Sequence, residues 1–212
     1  LNPGDSLAVL GRNGAGKSTV LKLLAGRLTP TEGSLRTEGT LSSLGAAGRE
    51  FRAHLTGREN IHLAASSFGR DGRGLVDAVE EIAAFAELGR FIDSPVSAYS
   101  TGMKARLGFA VSAVFAPEIL LVDEALAVGD LAFQRKCITY IRSFLDRGGI
   151  LVLVTHDPHL ASSVCRQSLL MHDGHGVVQE ISEGVHDYLR LLREREREQR
   201  SVAPAVLPAP SP

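Results

Sequence analysis

The sequence predicts an α/β fold: a mostly parallel sheet covered by helices, with a helical segment inserted into it. Three observations carry this. The short apolar run Leu7–Leu10 leads directly into a glycine loop and then into a stretch with helical spacing. From Ile119 onward, apolar strand-like runs alternate with helical ones, the pattern of strands joined by crossover helices. Between about Arg52 and Ala116 the β signals vanish and helical spacing dominates.

Each element follows from local pattern. Leu7–Leu10 is a buried strand. Lys17–Leu28 places Val20, Leu21, Leu24 and Leu28 on one helical face. Pro30 and Gly33 mark a turn, and two short strands are expected at Ser34–Arg36 and Thr40–Leu44. Within the insertion, helices are expected at Ile61–Phe68, at Leu75–Leu88 (with Val79, Ile82 and Ala86 in phase) and at Thr101–Phe115. Ile119–Val122 resumes the sheet. Leu131–Leu145 is a helix stopped by Gly148-Gly149, and Ile150–Val154 is a strong β run. Pro158–Cys165 is a helix, Ser168–Met171 a strand, and Ser182 to about Arg200 a final helix whose acid–base alternation from Arg193 reads as a solvated face. Ser201–Pro212, rich in Pro and Ala, is expected to be a disordered tail. No internal repeat is visible.

Bulk composition narrows the function classes. The chain has 212 residues, 44% of them hydrophobic, enough for one compact domain with a subdomain. A net charge of -1 gives no electrostatic argument for nucleic acid or anionic lipid. Cys137 and Cys165 are far apart in sequence and read as reduced core thiols. No apolar run is long enough for a transmembrane helix, and no secretory signal is visible. The chain opens at Leu1 almost directly on a strand, which reads as N-terminal truncation. The expected organisation is a domain over residues 1–192, with the helical subdomain at about 52–116. A charged helix end and tail follow over residues 193–212.

Three groups of residues carry candidate chemistry. Gly11-Arg12-Asn13-Gly14-Ala15-Gly16-Lys17-Ser18 fits the pattern G-x-x-x-x-G-K-[ST] in full, between a strand and a helix as that pattern requires. Glycines let the backbone N–H groups converge on phosphate oxygens, and the helix start aims its positive end at them. Lys17 then reaches the β- and γ-phosphates, and Ser18 offers a hydroxyl to Mg²⁺. The strand Ile119–Val122 ends in Asp123-Glu124. Acids at a strand end are often simply solvated. Beside a phosphate loop, Asp123 suits the Mg²⁺ shell and Glu124 suits a water poised for in-line attack. His156 follows the strand Ile150–Val154, on the edge where α/β ligands bind. Taken alone it reads as a capping or space-filling residue; with the loop nearby, it is a candidate γ-phosphate contact. Zinc ligation through His156 and His159, or His172 and His175, lacks further ligands.

A fourth stretch, Tyr99-Ser100-Thr101-Gly102-Met103, lies between the loop and the acids. Together these elements resemble the ATP-binding cassette (ABC) family of transport ATPases, from about Leu1 to Leu192. The resemblance implies a P-loop NTPase core with a helical subdomain, and ATP and Mg²⁺ as ligands. It places nucleotide contacts at Gly11, Asn13, Gly14, Ala15, Gly16, Lys17, Ser18 and Thr19, and Mg²⁺ at Ser18 and Asp123. Glu124 and His156 are implied as catalytic. Ser100 and Gly102 would touch the γ-phosphate held by a second copy, in an ATP-dependent head-to-tail homodimer.

The form of this stretch, with Lys104 to Ala110 after it, is similar to the branch that exports cell-surface polysaccharides: capsular polysaccharide, O-antigen and teichoic acid. Leu55–Asn60 and Val122–Asp130 agree, and Ala127–Asp130 is implied as a loop touching the opposite copy. Where the family has a glutamine, counting back from Leu55 gives Arg52, which cannot bind Mg²⁺ and would pair with phosphate or acids. The aromatic residue on which the family stacks adenine would lie before Leu1, and the charged segment and Pro-rich tail after Leu192 read as the short form of these exporters, without the long glycan-binding domain some of them carry. The expected function is thus the ATPase subunit of a polysaccharide exporter. It would sit on the cytoplasmic face of the cell membrane, drive a separate integral membrane permease, and bind no nucleic acid. The rival is a non-transport ABC switch acting on nucleic acid or the ribosome.

Overall fold

Six strands form a single sheet among the described residues of the computed structural model, which are 1–44, 51–68, 73–115, 117–123 and 130–202. They are β1 (Ser6–Gly11), β2 (Leu41–Leu44), β3 (Ile119–Asp123), β4 (Ile150–Val154), β5 (Gln167–His172) and β6 (His175–Glu180). Their spatial order is β2-β3-β4-β1-β5-β6. Every pairing is parallel except β5 with β6, which is antiparallel. The helices are α1 (Lys17–Leu24), α2 (Gly57–Ser67), α3 (Arg73–Ala86), α4 (Thr101–Val114), α5 (Leu131–Asp146), α6 (Pro158–Val164) and α7 (Ile181–Val202).

The central strands are apolar on both faces because helices cover both. Ala8, Leu10, Leu120, Val122, Leu151 and Leu153 point into one core, shared with Phe133, Ile141 and Tyr188. The residues between them, Val9, Leu121, Val152 and Val154, enter a second core with Leu21 of α1. This period-two division is what a buried parallel sheet requires. A third core gathers Ile61, Val79, Ile82, Leu107 and Val111 from α2, α3 and α4, with Tyr99 from the segment just before α4. Helix α4 serves two cores at once: Phe109 and Ala113 face the sheet, whereas Leu107, Ala110 and Val111 face the helices. It is therefore buried all round from Leu107 to Ala113. The Phe109 ring meets Phe85 of α3 at 5.7 Å and Tyr140 of α5 at 5.8 Å, and the Tyr140 hydroxyl donates to the Ala113 carbonyl at 2.7 Å. Each such aromatic pair adds roughly 0.5–1.5 kcal/mol beyond its burial.

Four expectations need correction. Residues 34–36 form no strand; residues 31–40 are exposed throughout, and Arg36 pairs with Glu38 in solvent. Helix α1 stops at Leu24 rather than Leu28, because Gly26 turns the chain at φ +67° and Leu28 is left exposed. Strand β6 was not expected. It is created by a two-residue turn, Asp173-Gly174, with φ of +46° and +79°, which returns the chain so that His172 faces His175. Helix α7 also runs to Val202, past the expected start of the tail, and residues 203–212 lie outside the described residues. Both cysteines are free and buried, and burial pushes each thiol up to about 12.

Candidate functional site

The register of the parallel strands builds the site. Val9 of β1 pairs with Val154 of β4, and Val154 pairs with Asp123 of β3. The carboxyl ends of three adjacent strands therefore lie level, and at β1 the strand order switches: the chain leaves β1 for β2 on one side and later crosses from β4 to β5 on the other. Such a switch point, at the carboxyl ends of the strands, is where open α/β sheets bind ligands. The loop after β1 and the residues after β4 enclose a groove of about 350 Å³. It is lined by Asn13, Gly14, Gly16, Lys17, Ser18, Thr19, Val154 and His156.

The loop is shaped by its glycines. Gly14 and Gly16 hold φ of +83° and +99°, which favours glycine on conformational grounds. Gly11 is required by space, since a Cβ there would stand 2.6 Å from the Met171 carbonyl oxygen of β5. Gly11→Ala is accordingly expected to push the loop off β5. It should cost about 1–3 kcal/mol of stability, read as a lower denaturation midpoint with weakened binding of a fluorescent ATP analogue.

Gly16 occupies the cap position of α1, and no side chain caps the helix there. The N-terminal end of α1 thus faces the groove with its dipole. Lys17 is 7% exposed. Its Nζ donates to the Gly11 carbonyl at 2.7 Å and to the Arg12 carbonyl at 2.9 Å, so the buried ammonium lies along the loop that frames the groove. Backbone N–H groups, an ammonium and the Ser18 hydroxyl form a donor set that fits a polyphosphate. Asp123, at the strand end beside β4, adds the acid that a divalent cation needs.

His156 lies on the groove, and its Nδ1 stands 3.5 Å from the hydroxyl of Tyr188 on α7. Neither Val154 as a lining residue nor Tyr188 was singled out by sequence; the latter is 32 residues from its partner. Glu124 and residues 125–129 lie outside the described residues. Arg52 does not line the groove. Its backbone is held by the Asn60 amide, which accepts from the Arg52 N–H at 2.7 Å and donates to the Arg52 carbonyl at 3.1 Å.

Ser100 and Gly102 are absent from the groove lining. Ser100 caps α4 and accepts from the Met103 N–H at 3.2 Å. Tyr99 anchors this corner, donating to the Phe91 carbonyl at 2.6 Å. A Cβ on Gly57 would strike the Tyr99 hydroxyl, so the stretches Leu55–Asn60 and Tyr99–Met103 pack as one unit. Farther along α4, Arg106 pairs with Asp130 at 2.6 Å and with Glu87 at 3.4 Å, and covers the Phe133 ring at 4.8 Å. The Phe133 N–H, and behind it the Arg106 guanidinium, hold the Asp130 carboxyl below its usual range.

A family model described as "ABC transporter" matches residues 1–127. The chain belongs to the ABC transporter family. Among curated ABC proteins, it is 48% identical to the O-antigen export system ATP-binding protein RfbB of Klebsiella pneumoniae over 76% of this chain and 66% of that one. It is 35% identical to the teichoic acids export ATP-binding protein TagH of Bacillus anthracis over 93% of this chain and 36% of that one. Both names fall within the branch that Tyr99–Met103 resembles. The chain spans at most about two thirds of the length of these two relatives. The same fold occurs in a dimeric structure of a post-hydrolysis state of an ATP-binding cassette bound to ADP and Pi. The TM-score is 0.72 and the identity 22%, over 85% of this chain and 88% of that one. Among the described residues, no helix is long and apolar enough to cross a membrane.

Proposed function

We propose that this chain is the ATP-binding and ATP-hydrolysing subunit of an exporter for cell-surface polysaccharide or a related glycopolymer, driving a separate membrane permease. The observation that carries this reading is the meeting of Lys17, Ser18 and His156 on one groove, with Asp123 ending the strand next to β4. Lys17 and the loop N–H groups hold the β- and γ-phosphates. His156 contacts the γ-phosphate, and Glu124 takes a proton from the attacking water. Ser18 and Asp123 would hold a magnesium ion, which would supply charge neutralisation at the phosphates.

The position of Ser100 and Gly102 off their own groove supports a role across a head-to-tail dimer, where the start of α4 meets the ATP of a second copy. The names of the relatives support surface-polymer export, and with it a place on the cytoplasmic face of the membrane beside a permease. Residues of about 52–68, on the helical side, are the surface proposed to dock on that permease.

Affinity purification of the full-length protein from solubilised membranes of its own cells tests this. It is expected to bring down a polytopic membrane protein, and addition of that protein is expected to raise ATP turnover. Recovery of ribosomes or DNA in its place would favour the switch reading and reject export.

A further inference from the structure

We infer that Asn60 is a positioning residue for the Ser100–Gly102 start of α4: its side-chain amide joins residues 52–56 and 94–97 into one bonded body that ends at Ser100. This rests on the reading in which Ser100 and Gly102 meet the nucleotide held by a second copy.

Asn60 is polar yet only 2% exposed. The bonds of its amide all go to backbone. Oδ1 accepts from the Arg52 N–H at 2.7 Å. Nδ2 donates to the carbonyls of Arg52 at 3.1 Å, Leu55 at 3.3 Å and Thr56 at 2.9 Å. These partners also fix which way the amide points, because a flipped group would set N–H against N–H. Residues 52–55 belong to no helix or strand, so the buried amide supplies the shape that a regular element would otherwise give.

The same segment is bonded a second time, to the chain just before α4. The Ser97 N–H donates to the Ala53 carbonyl at 2.8 Å, the Val96 N–H to the Leu55 carbonyl at 2.9 Å, and the Gly57 N–H to the Ser94 carbonyl at 3.3 Å. Thr56 and Pro95 form an antiparallel bridge. The Leu55 carbonyl is the junction: it accepts from Val96 and from Asn60 together, using both lone pairs.

From Val96 the link to Ser100 is short. The Tyr99 N–H donates to the Val96 carbonyl at 3.1 Å, closing the tight turn Val96–Ala98. The buried Tyr99 side chain is tied to the Phe91 carbonyl, and Ser100, the next residue, is exposed at the cap of α4. A group that must meet a phosphate on another molecule has to be held to within about 0.5 Å of its working geometry. Asn60, buried and remote in sequence, supplies that constraint.

Hydrogen exchange read by mass spectrometry on the full-length protein tests the link. In Asn60→Ala, peptides covering 52–57 and 94–103 should both exchange about tenfold faster, the scale of one net hydrogen bond. Peptides from β1, β4 and α5 should keep the parent rates. In steady-state assays kcat should fall about tenfold with KM for ATP unchanged, because Asn60 is off the groove that holds the nucleotide. Val79→Ala, a cavity in the same helical core, is the control. It should lower the thermal midpoint without loosening the two peptides together or lowering kcat. If Asn60→Ala does not fold, Asn60→Leu keeps the volume and removes the same bonds. Faster exchange confined to 52–57, or an equal loss of kcat in Val79→Ala, would overturn the inference. So would parent turnover in Asn60→Ala when Ser100→Ala has lost it. Parent turnover in Ser100→Ala would instead reject the contact across the dimer, and exchange over 94–103 would still decide whether Asn60 holds that end of α4.

Discussion

Lys17→Ala should abolish measurable ATP hydrolysis and weaken ATP binding by at least about a hundredfold. That factor corresponds to about 2.7 kcal/mol, which one lost charge-assisted hydrogen bond network at a phosphate readily supplies. The competing consideration is the loop itself. Nζ bonds the Gly11 and Arg12 carbonyls at 2.7 and 2.9 Å, so truncation also removes two contacts that shape the groove. Those carbonyls can turn to water once the side chain is gone, which keeps the cost to folding at about 1 kcal/mol. Binding should therefore fall far more than stability. Isothermal titration with ATP and a thermal melt on the same sample separate the two effects. A variant that melts like the parent and still binds ATP with the parent affinity would remove Lys17 from the site.

The loop was legible in the sequence because its requirements are local. Glycine at positions of positive φ, a lysine one residue past the last glycine, and a flanking strand and helix all fall within about 20 residues. The same holds for the caps: Ser100 on α4 and the Thr56–Glu59 capping box on α2 are short-range. What the sequence hid was contact at long separation. Leu55–Asn60 and Tyr99–Met103 stood out as separate stretches, yet Gly57 is there because the Tyr99 hydroxyl occupies the space a side chain would need. Tyr188 carried no local sign at all, being one apolar position on an amphipathic helix.

Two other misses were avoidable. Asp173-Gly174 between β-prone residues is a strong hairpin signal, and weighing it would have found β6. Gly26 in a helical run is a natural stop, and weighing it would have ended α1 early. The expected strand over residues 34–36 failed for the opposite reason. A brief polar–apolar–polar alternation was present, but residues 31–40 are exposed throughout, so no buried face was there to hold a strand.

Glu124→Gln is expected to leave ATP bound and hydrolysis slowed by about 10² to 10⁴, the range for removal of a positioned general base. Asp123 ends β3 level with Val154, and strand alternation predicts that a residue following it points away from Asp123. A carboxamide keeps the size of the side chain and can still bond a water, but it cannot accept the proton. The size of the loss therefore discriminates between roles. A fall of less than about tenfold would mean that residue 124 only orients water, whereas 10² or more assigns it the proton. Removing a negative charge near the γ-phosphate also lowers repulsion, so ATP affinity should hold or rise. With ATP retained, two copies should stay closed around it, on the proposal that Ser100 and Gly102 of each meet the nucleotide held by the other. Size-exclusion with ATP should then show a dimer for Glu124→Gln and a monomer for Lys17→Ala. A Glu124→Gln protein that turns over ATP at the parent rate would place the base elsewhere. One that loses turnover but stays monomeric would separate hydrolysis from closure and reject the trans role of α4.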